Sequence, residues 1–192
     1  MIEGIDLKSS YIILHLFGVT VGAGGAFMSD LIFLSSIKDQ NISPTEQRFM
    51  DIGSKMVWVG LVILVLSGIL LMSLDVAGYL ASSKFQAKMT IVGIIILNGI
   101  VFHFLHIPRI KRHVGEDLSS SDEFHRKAFL LFVSGVVSVI SWIFALVLGS
   151  LQSIPISYLP TMMVYGIVVV SGVLLGWILL KGVLFSSHRR KK

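Results

Sequence analysis

Residues 11–36 read YIILHLFGVTVGAGGAFMSDLIFLSS, and this stretch decides the fold. An α-helix rises 1.5 Å per residue, so about 20 apolar residues cross a hydrocarbon core of about 30 Å. The stretch clears that length while carrying His15 and Asp30. Ionisable groups at membrane depth are costly, and they face a protein interior or a water-filled site. At about 100° per residue, His15, Gly18, Gly22, Gly25, Ala26, Ser29 and Asp30 share one half of the helix. The opposite side is mostly Leu, Ile, Val and Phe. One face is therefore small and polar, and the other suits lipid.

The rest of the chain has the same character. Of 192 residues, 54% are hydrophobic and 14% charged, and the mean hydropathy is +0.86. This balance indicates an all-α polytopic membrane bundle rather than a water-soluble domain. Further apolar runs at 56–74, 88–107, 128–149 and 160–185 join 11–36 to give five spans in a single membrane domain, residues 1–192. Cysteine is absent, which excludes disulfides, thiolate metal sites and cysteine nucleophiles. The net charge of +5 gathers at span ends, where it sets membrane orientation and does not indicate nucleic acid. Glu3 and Asp6 make the N-terminus a poor signal-peptide start, so the first span is expected to remain as an uncleaved helix.

Local signals place the boundaries. Asp6 or Ser9 caps a first helix over about 8–37. Ser43-Pro44-Thr45-Glu46 reads as a capping box with proline at the first helical position, so the second helix starts near Pro44, well before its span. Asp75 to Ser82 is expected to be a loop. Ser83-Lys84-Phe85-Gln86 reads as a second box, opening a third helix that Pro108 ends after Ile107. Ser120 with Glu123 is a third box for a fourth helix. Residues 152–159 form a loop, and the fifth helix begins at Pro160. No span contains an internal proline, no internal repeat is evident, and short loops make sequential helices antiparallel neighbours. Of the 16 Lys and Arg residues, Lys8, Lys84 and Lys88 lie on one side. The other thirteen lie opposite, in the loops after helices 1 and 3, the adjoining helix extensions and the C-terminal tail. The positive-inside rule places the N-terminus outside and the C-terminus in the cytoplasm of a cell membrane.

Helices 1 and 3 then run in the same direction. His15 and Lys88 lie near their outer ends, and Asp30 and His103 lie fifteen residues further along each, roughly 22 Å deeper. His106 falls on the face of Lys88, five helical turns on, with Asn98 and Gly99 on the same side. His15 suits either an axial ligand of haem b or a proton carrier, with Gly18 and Gly22 leaving room for a macrocycle or for another helix. Lys88 suits a cofactor carboxylate, a second ligand or an interfacial anchor. Asp30 suits a proton or metal site, or a structural pair with Lys55 or His103. His103 and His106, with Asp30, have the composition of a two-histidine, one-carboxylate metal site, and His15 is a further candidate metal ligand. His113, His125 and His188 stand in charged stretches and are expected to be solvated. Ser134, Ser138 and Ser141 share one face of helix 4 beside Gly135 and Trp142, as interhelical hydrogen-bonding serines do.

The helix 1 histidine in YIILHLFGV and the lysine opening helix 3 in KFQAKMTIVGIIILNGIVFH resemble the HemJ-type protoporphyrinogen oxidases and the related CopD-like membrane proteins. The resemblance spans roughly residues 10–107. It implies a haem-b-binding oxidoreductase with a tetrapyrrole or quinone partner, in which His15 and Lys88 are the residues tied to haem and activity. The chain departs from that pattern in three places. MSDLIFLSS replaces the proline-arginine stretch after helix 1, aromatic residues around Lys88 are sparse, and a fifth helix is present.

Three functional readings follow. The first is a haem b redox protein using His15 and Lys88, with Gly18, Gly22 and Asn98 lining the cofactor. The second is a proton- or ion-handling protein built on Asp30, His103 and His106. The third is a non-catalytic membrane assembly subunit. The glycine faces also allow a homo-oligomer.

Overall fold

The computed structural model describes residues 6–116, 118, 122–151 and 157–190; for 122–125 and 179–190 it describes the backbone only. The chain is helical: α1 (Leu7–Asp39), α2 (Pro44–Met72), α3 (Val76–Ala81), α4 (Ser83–Val101), a π-helical turn (Phe102–His106), α5 (Ile107–Arg112), α6 (Asp122–Ser150) and α7 (Tyr158–Arg190). Among the described residues there is no strand, only a single parallel bridge between Ile42 and Val114. Among the described residues five helices are long and apolar enough to cross a membrane: Leu7–Asp39, Pro44–Met72, Ser83–Arg112, Arg126–Ser150 and Tyr158–Ile178. Leu16, Phe17, Leu31, Leu97 and Leu174 are each more than half exposed on the outside of the bundle, a distribution that suits lipid and not water.

The end groups of α1 and α2 are satisfied as the sequence predicts. Asp6 Oδ1 accepts the Ser9 N–H at 2.6 Å. Hydrogen bonds from Ser9, its hydroxyl first and its backbone N–H second, hold the Asp6 carboxyl below its usual range. Gln40 closes α1 in the left-handed conformation, φ 57°. At α2 both arms of the box form: Glu46 N–H donates to Ser43 Oγ at 3.2 Å, and Ser43 N–H donates to Glu46 Oε2 at 2.8 Å.

α1 and α2 pack antiparallel with backbones nearly touching. A Cβ built on Gly18 would stand 2.8 Å from Leu64 N, and one on Gly25 would stand 2.7 Å from Gly53 O. One on Gly60 would collide with the backbone of Gly22. Only glycine permits this approach, the small-residue packing that joins membrane helices without help from the hydrophobic effect. α4 lies along α6, and α7 covers α6, whereas α2 and α4 touch only briefly. Sequential order therefore does not set all the neighbours: α4 takes α6 as its main partner instead of α2.

Four boundary expectations are corrected. The stretch 75–82 is not a plain loop, because Asp75 Oδ1 accepts the Gly78 N–H at 3.0 Å and starts the short helix α3. The cap of α4 is Ser82, not Ser83: its hydroxyl accepts the Phe85 N–H, while Gln86 donates instead to Leu80 O. Pro108 does not end the third span. The helix widens into a π turn over Phe102–His106, the Ile107 N–H reaches back to Phe102 O, and Pro108 sits in the first turn of α5. A proline lacks an N–H and its ring presses on the carbonyl four residues back; the wider turn accommodates both. α7 begins at Tyr158, ahead of Pro160. The Ser120–Glu123 box and most of the 152–159 loop lie outside the described residues.

Two clusters form the core. Near the α1–α2 loop, Phe33, Ile37, Ile42, Met50, Ile107, Ile110 and Leu118 are buried together. That loop is clamped by the segment after α5: Gly115 N–H donates to Ile42 O and Leu118 N–H donates to Gln40 O, both at 2.9 Å. Toward the other end, Leu61, Leu64, Ala87, Ile91, Ile95, Trp142 and Tyr165 make the second cluster.

Candidate functional site

Asp30 occupies the junction between the two clusters. It is on α1, nine residues before the helix ends at Asp39, roughly 14 Å along the axis. The glycine seam holds Ser29 against Gly53 of α2 and leaves Asp30 to meet α6. There Ser138 is its hydrogen-bonding neighbour, and a Cβ on Gly135 would lie 3.4 Å from Oδ1. Asp30 Oδ2 and Ser29 Oγ are buried without a hydrogen-bond partner among the described residues. Unpaired polar atoms at such depth are costly, and each asks for a water, a proton or a cation.

Both residues line one cavity of about 30 Å3, together with Ser54, Trp58, Asn98, Ser134, Ser138 and Trp142. A volume of that order holds about one water molecule. Its wall is rich in side-chain oxygens. Asn98 is fixed in its wall: Nδ2 donates to Ser134 O at 3.1 Å, and Ser134 Oγ donates to Asn98 Oδ1 at 2.8 Å. Ser54 Oγ lies 3.0 Å from His103 Nδ1, and Trp58 meets the His103 ring edge-on at 6.5 Å. His103 thus backs the cavity through Ser54 without touching Asp30. The expected pair of Asp30 with Lys55 is absent as well: Lys55 and Lys111 both bind Asp51, at 3.1 and 3.2 Å.

Asp30 also lines a second space. This is an apolar cleft of about 270 Å3 between α1, α6 and α7, bounded by Phe33, Leu131, Phe132, Val139, Ile140 and Gly172 among others. Among the described residues the carboxylate is the only charged group in its wall.

His15 and Lys88 lie at the other level, closer to the start of α1. His15 Nδ1 is 3.0 Å from Ser67 Oγ. The single Ser67 hydroxyl proton is directed at the Ile63 and Leu64 carbonyls, so Ser67 accepts from His15. In that arrangement Nδ1 carries a proton. Lys88 points from α4 to α6, its Nζ 4.0 Å from a Cβ built on Gly149. The two residues expected to share an outer layer are both turned inward.

Gly18 and Gly22 serve packing. Gly18 is covered by α2, and a Cβ on Gly22 would stand 2.6 Å from the Trp142 ring. Neither leaves space for a macrocycle, and Asn98 is committed to Ser134. Of the expected haem set, the donor chemistry of His15 and Lys88 fits and the cradle of Gly18, Gly22 and Asn98 does not.

The histidines of helix 3 do not form a metal site either. Among the described residues no three of His, Cys, Asp and Glu converge as metal ligands. The π turn separates His103 and His106. His103 faces α2, while His106 is buried with Nδ1 accepting from Arg109 Nη1 at 3.2 Å and Nε2 without a partner among the described residues. His113, expected to be solvated, is buried and its Nδ1 lies 3.0 Å from Arg109 O. His125 and His188 lie outside the described side chains.

Sequence reasoning passed over Ser54, placed Ser29 on the small polar face of α1 without a role of its own, and gave Ser138 only interhelical hydrogen bonding. The signal present was serine recurring within apolar spans, at 134, 138 and 141 on α6 and at 54 and 67 on α2. Compared with protein-family models, curated proteins and solved structures, the chain matches none of them.

Proposed function

We propose that this membrane protein handles protons or small monovalent cations at Asp30. One observation carries the reading: two buried, unpartnered oxygens, Asp30 Oδ2 and Ser29 Oγ, line the same water-sized polar cavity inside an otherwise apolar bundle. A carboxylate in that position changes protonation or ion occupancy at lower cost than one locked in a salt bridge. Ser138 orients it, and Ser54, Asn98 and Ser134 supply further oxygens. His103 stands one hydrogen bond away through Ser54, a position for passing a proton toward the α1–α2 loop end. His106 stays outside this set. On the charge distribution, that end is cytoplasmic and the N-terminus external, in the cell membrane.

The test is proton flux in proteoliposomes carrying an internal pH-sensitive dye, with and without an imposed cation gradient. Wild-type protein is expected to dissipate or couple the gradient, Asp30→Asn to be inactive, and Asp30→Glu to retain activity. Equal flux with Asp30→Asn, in protein of unchanged helicity, would remove the proposal.

A second reading rests on the other level. His15 is held by Ser67 through Nδ1, and the Lys88 ammonium has no hydrogen bond among the described residues. These are the donors through which the HemJ-type resemblance implies haem b binding, with a tetrapyrrole or quinone as redox partner. Haem would supply one-electron chemistry, and His15 would hold it. A Soret band in protein expressed with haem supply, lost in His15→Ala, supports this reading; its absence rejects it.

A further inference from the structure

The apolar cleft and the polar cavity share the Asp30 carboxylate, and this geometry points to a ligand class. We propose that the cleft binds a lipophilic monovalent cation, an alkylammonium, with its charged head at Asp30 and its tail between α6 and α7. The inference rests on Asp30 being a working carboxylate and goes further by naming what reaches it.

The cleft holds about 270 Å3, just below the usual range of about 300–1,000 Å3 for small-molecule pockets. Its wall includes Phe33, Leu131, Phe132, Val139 and Ile140, and among the described residues Asp30 alone supplies charge. Apolar walls with one well-placed polar group are the normal make-up of a ligand site. A neutral ligand would leave the buried acid unmatched, and an anion would be repelled. A hydrated metal ion would gain nothing from the apolar wall. A cation with an alkyl tail satisfies both parts. Leu34, on the edge of the cleft, is 48% exposed on the apolar surface, which allows entry from the hydrocarbon phase where such molecules partition. A Cβ built on Gly135 would stand 3.4 Å from Asp30 Oδ1, in ordinary contact, so this position borders the acid directly.

The experiment is calorimetric titration of nanodisc-embedded protein with n-hexylammonium and, separately, with neutral n-hexanol. Empty nanodiscs supply the partitioning baseline. Hexylammonium is expected to bind wild type at least about tenfold more tightly than Asp30→Asn, the scale of one buried hydrogen bond to a charged group. Val139→Phe, which narrows the cleft without touching the acid, is expected to weaken both ligands. Hexanol binding to Asp30→Asn at wild-type strength shows that the variant keeps its cleft. Hexylammonium binding that is absent, or equal in wild type and Asp30→Asn, overturns the inference. If proton flux still depends on Asp30 in that case, the proposed function stands and only the ligand class is lost.

Discussion

Replacing Gly60 by alanine adds a single methyl where α1 and α2 cross. A Cβ there would overlap Gly22 N, lie 2.5 Å from Gly22 Cα and 2.7 Å from Gly18 O. Carbon contacts normally settle at about 3.5–4.0 Å, and all three atoms are backbone. No rotamer can relieve the overlap, so the helices must part by roughly 1 Å, against that contact distance. Overpacking of this kind costs about 1–3 kcal/mol, and alanine regains up to about 1 kcal/mol in helix propensity. Gly24→Ala is the matched control, because nothing lies within 4 Å of its added methyl and only the propensity gain remains. Gly60→Ala is therefore expected to fall about 1–3 kcal/mol below Gly24→Ala after both terms are counted. The assay is reversible unfolding in mixed micelles of increasing SDS fraction, followed by the fluorescence of Trp58 and Trp142. Equal midpoints for the two variants would refute the close-packed seam. Because the seam holds Ser29 against Gly53, Gly60→Ala is also expected to lower any Asp30-dependent flux.

Other consequences follow from the same geometry. Gly115 has φ +79°, so Gly115→Ala should destabilise the clamp on the α1–α2 loop by about 1 kcal/mol, visible as faster amide exchange at Leu118 and Gly115. Asp51→Ala removes both exposed lysine contacts and should change stability by no more than about 1 kcal/mol, read from the same SDS midpoint; a larger loss would mean that Asp51 has a second role. The Asp6 cap depends on pH. Its folded pKa lies below the ordinary 3.8, so its stabilisation is present above that value and fades as pH falls through the folded pKa. Amide exchange at Ser9 and Ser10 should quicken only in that acidic range, and Asp6→Asn should shift the profile. Ser67→Ala frees the His15 ring, and the His15 Nδ1 proton resonance in NMR spectra should broaden or disappear.

The fold was largely legible because its determinants are local. Span length, proline at a first turn, and the Ser43–Glu46 box each act over a few residues, and they predict α1 and α2 to within two or three positions. The misreadings share a cause. Pro108 looks like a stop when judged by α-helical geometry alone, yet one π turn lets the span continue, and the same turn breaks the i, i+3 face that seemed to join His103 to His106. Ser82 displaces Ser83 as the cap because Gln86 finds the Leu80 carbonyl instead. The candidate site was half legible. That Asp30 must face inward follows from the cost of burying a charge. What it faces depends on α6 lying beside α1, a pairing between residues more than a hundred positions apart with no local signature.

The two glycine roles of α1 explain why Asp30 has no ion pair among the described residues. Gly18, Gly22 and Gly25 draw α2 and Trp142 against the helix, so side chains on that face are committed to packing. Asp30 lies one turn beyond Gly25–Ala26 and is carried round toward α6, where Gly135 offers no side chain and Ser138 offers one hydroxyl. Lys55 and Lys111 could have neutralised it, but Asp51 holds both nearer the end of the bundle. Asp51→Asn should then release Lys55 without altering the cavity walls. If the free ammonium reaches inward, Asp30-dependent flux falls while the fold survives. Unchanged flux in that variant would show that depth alone, and not capture by Asp51, keeps Asp30 free.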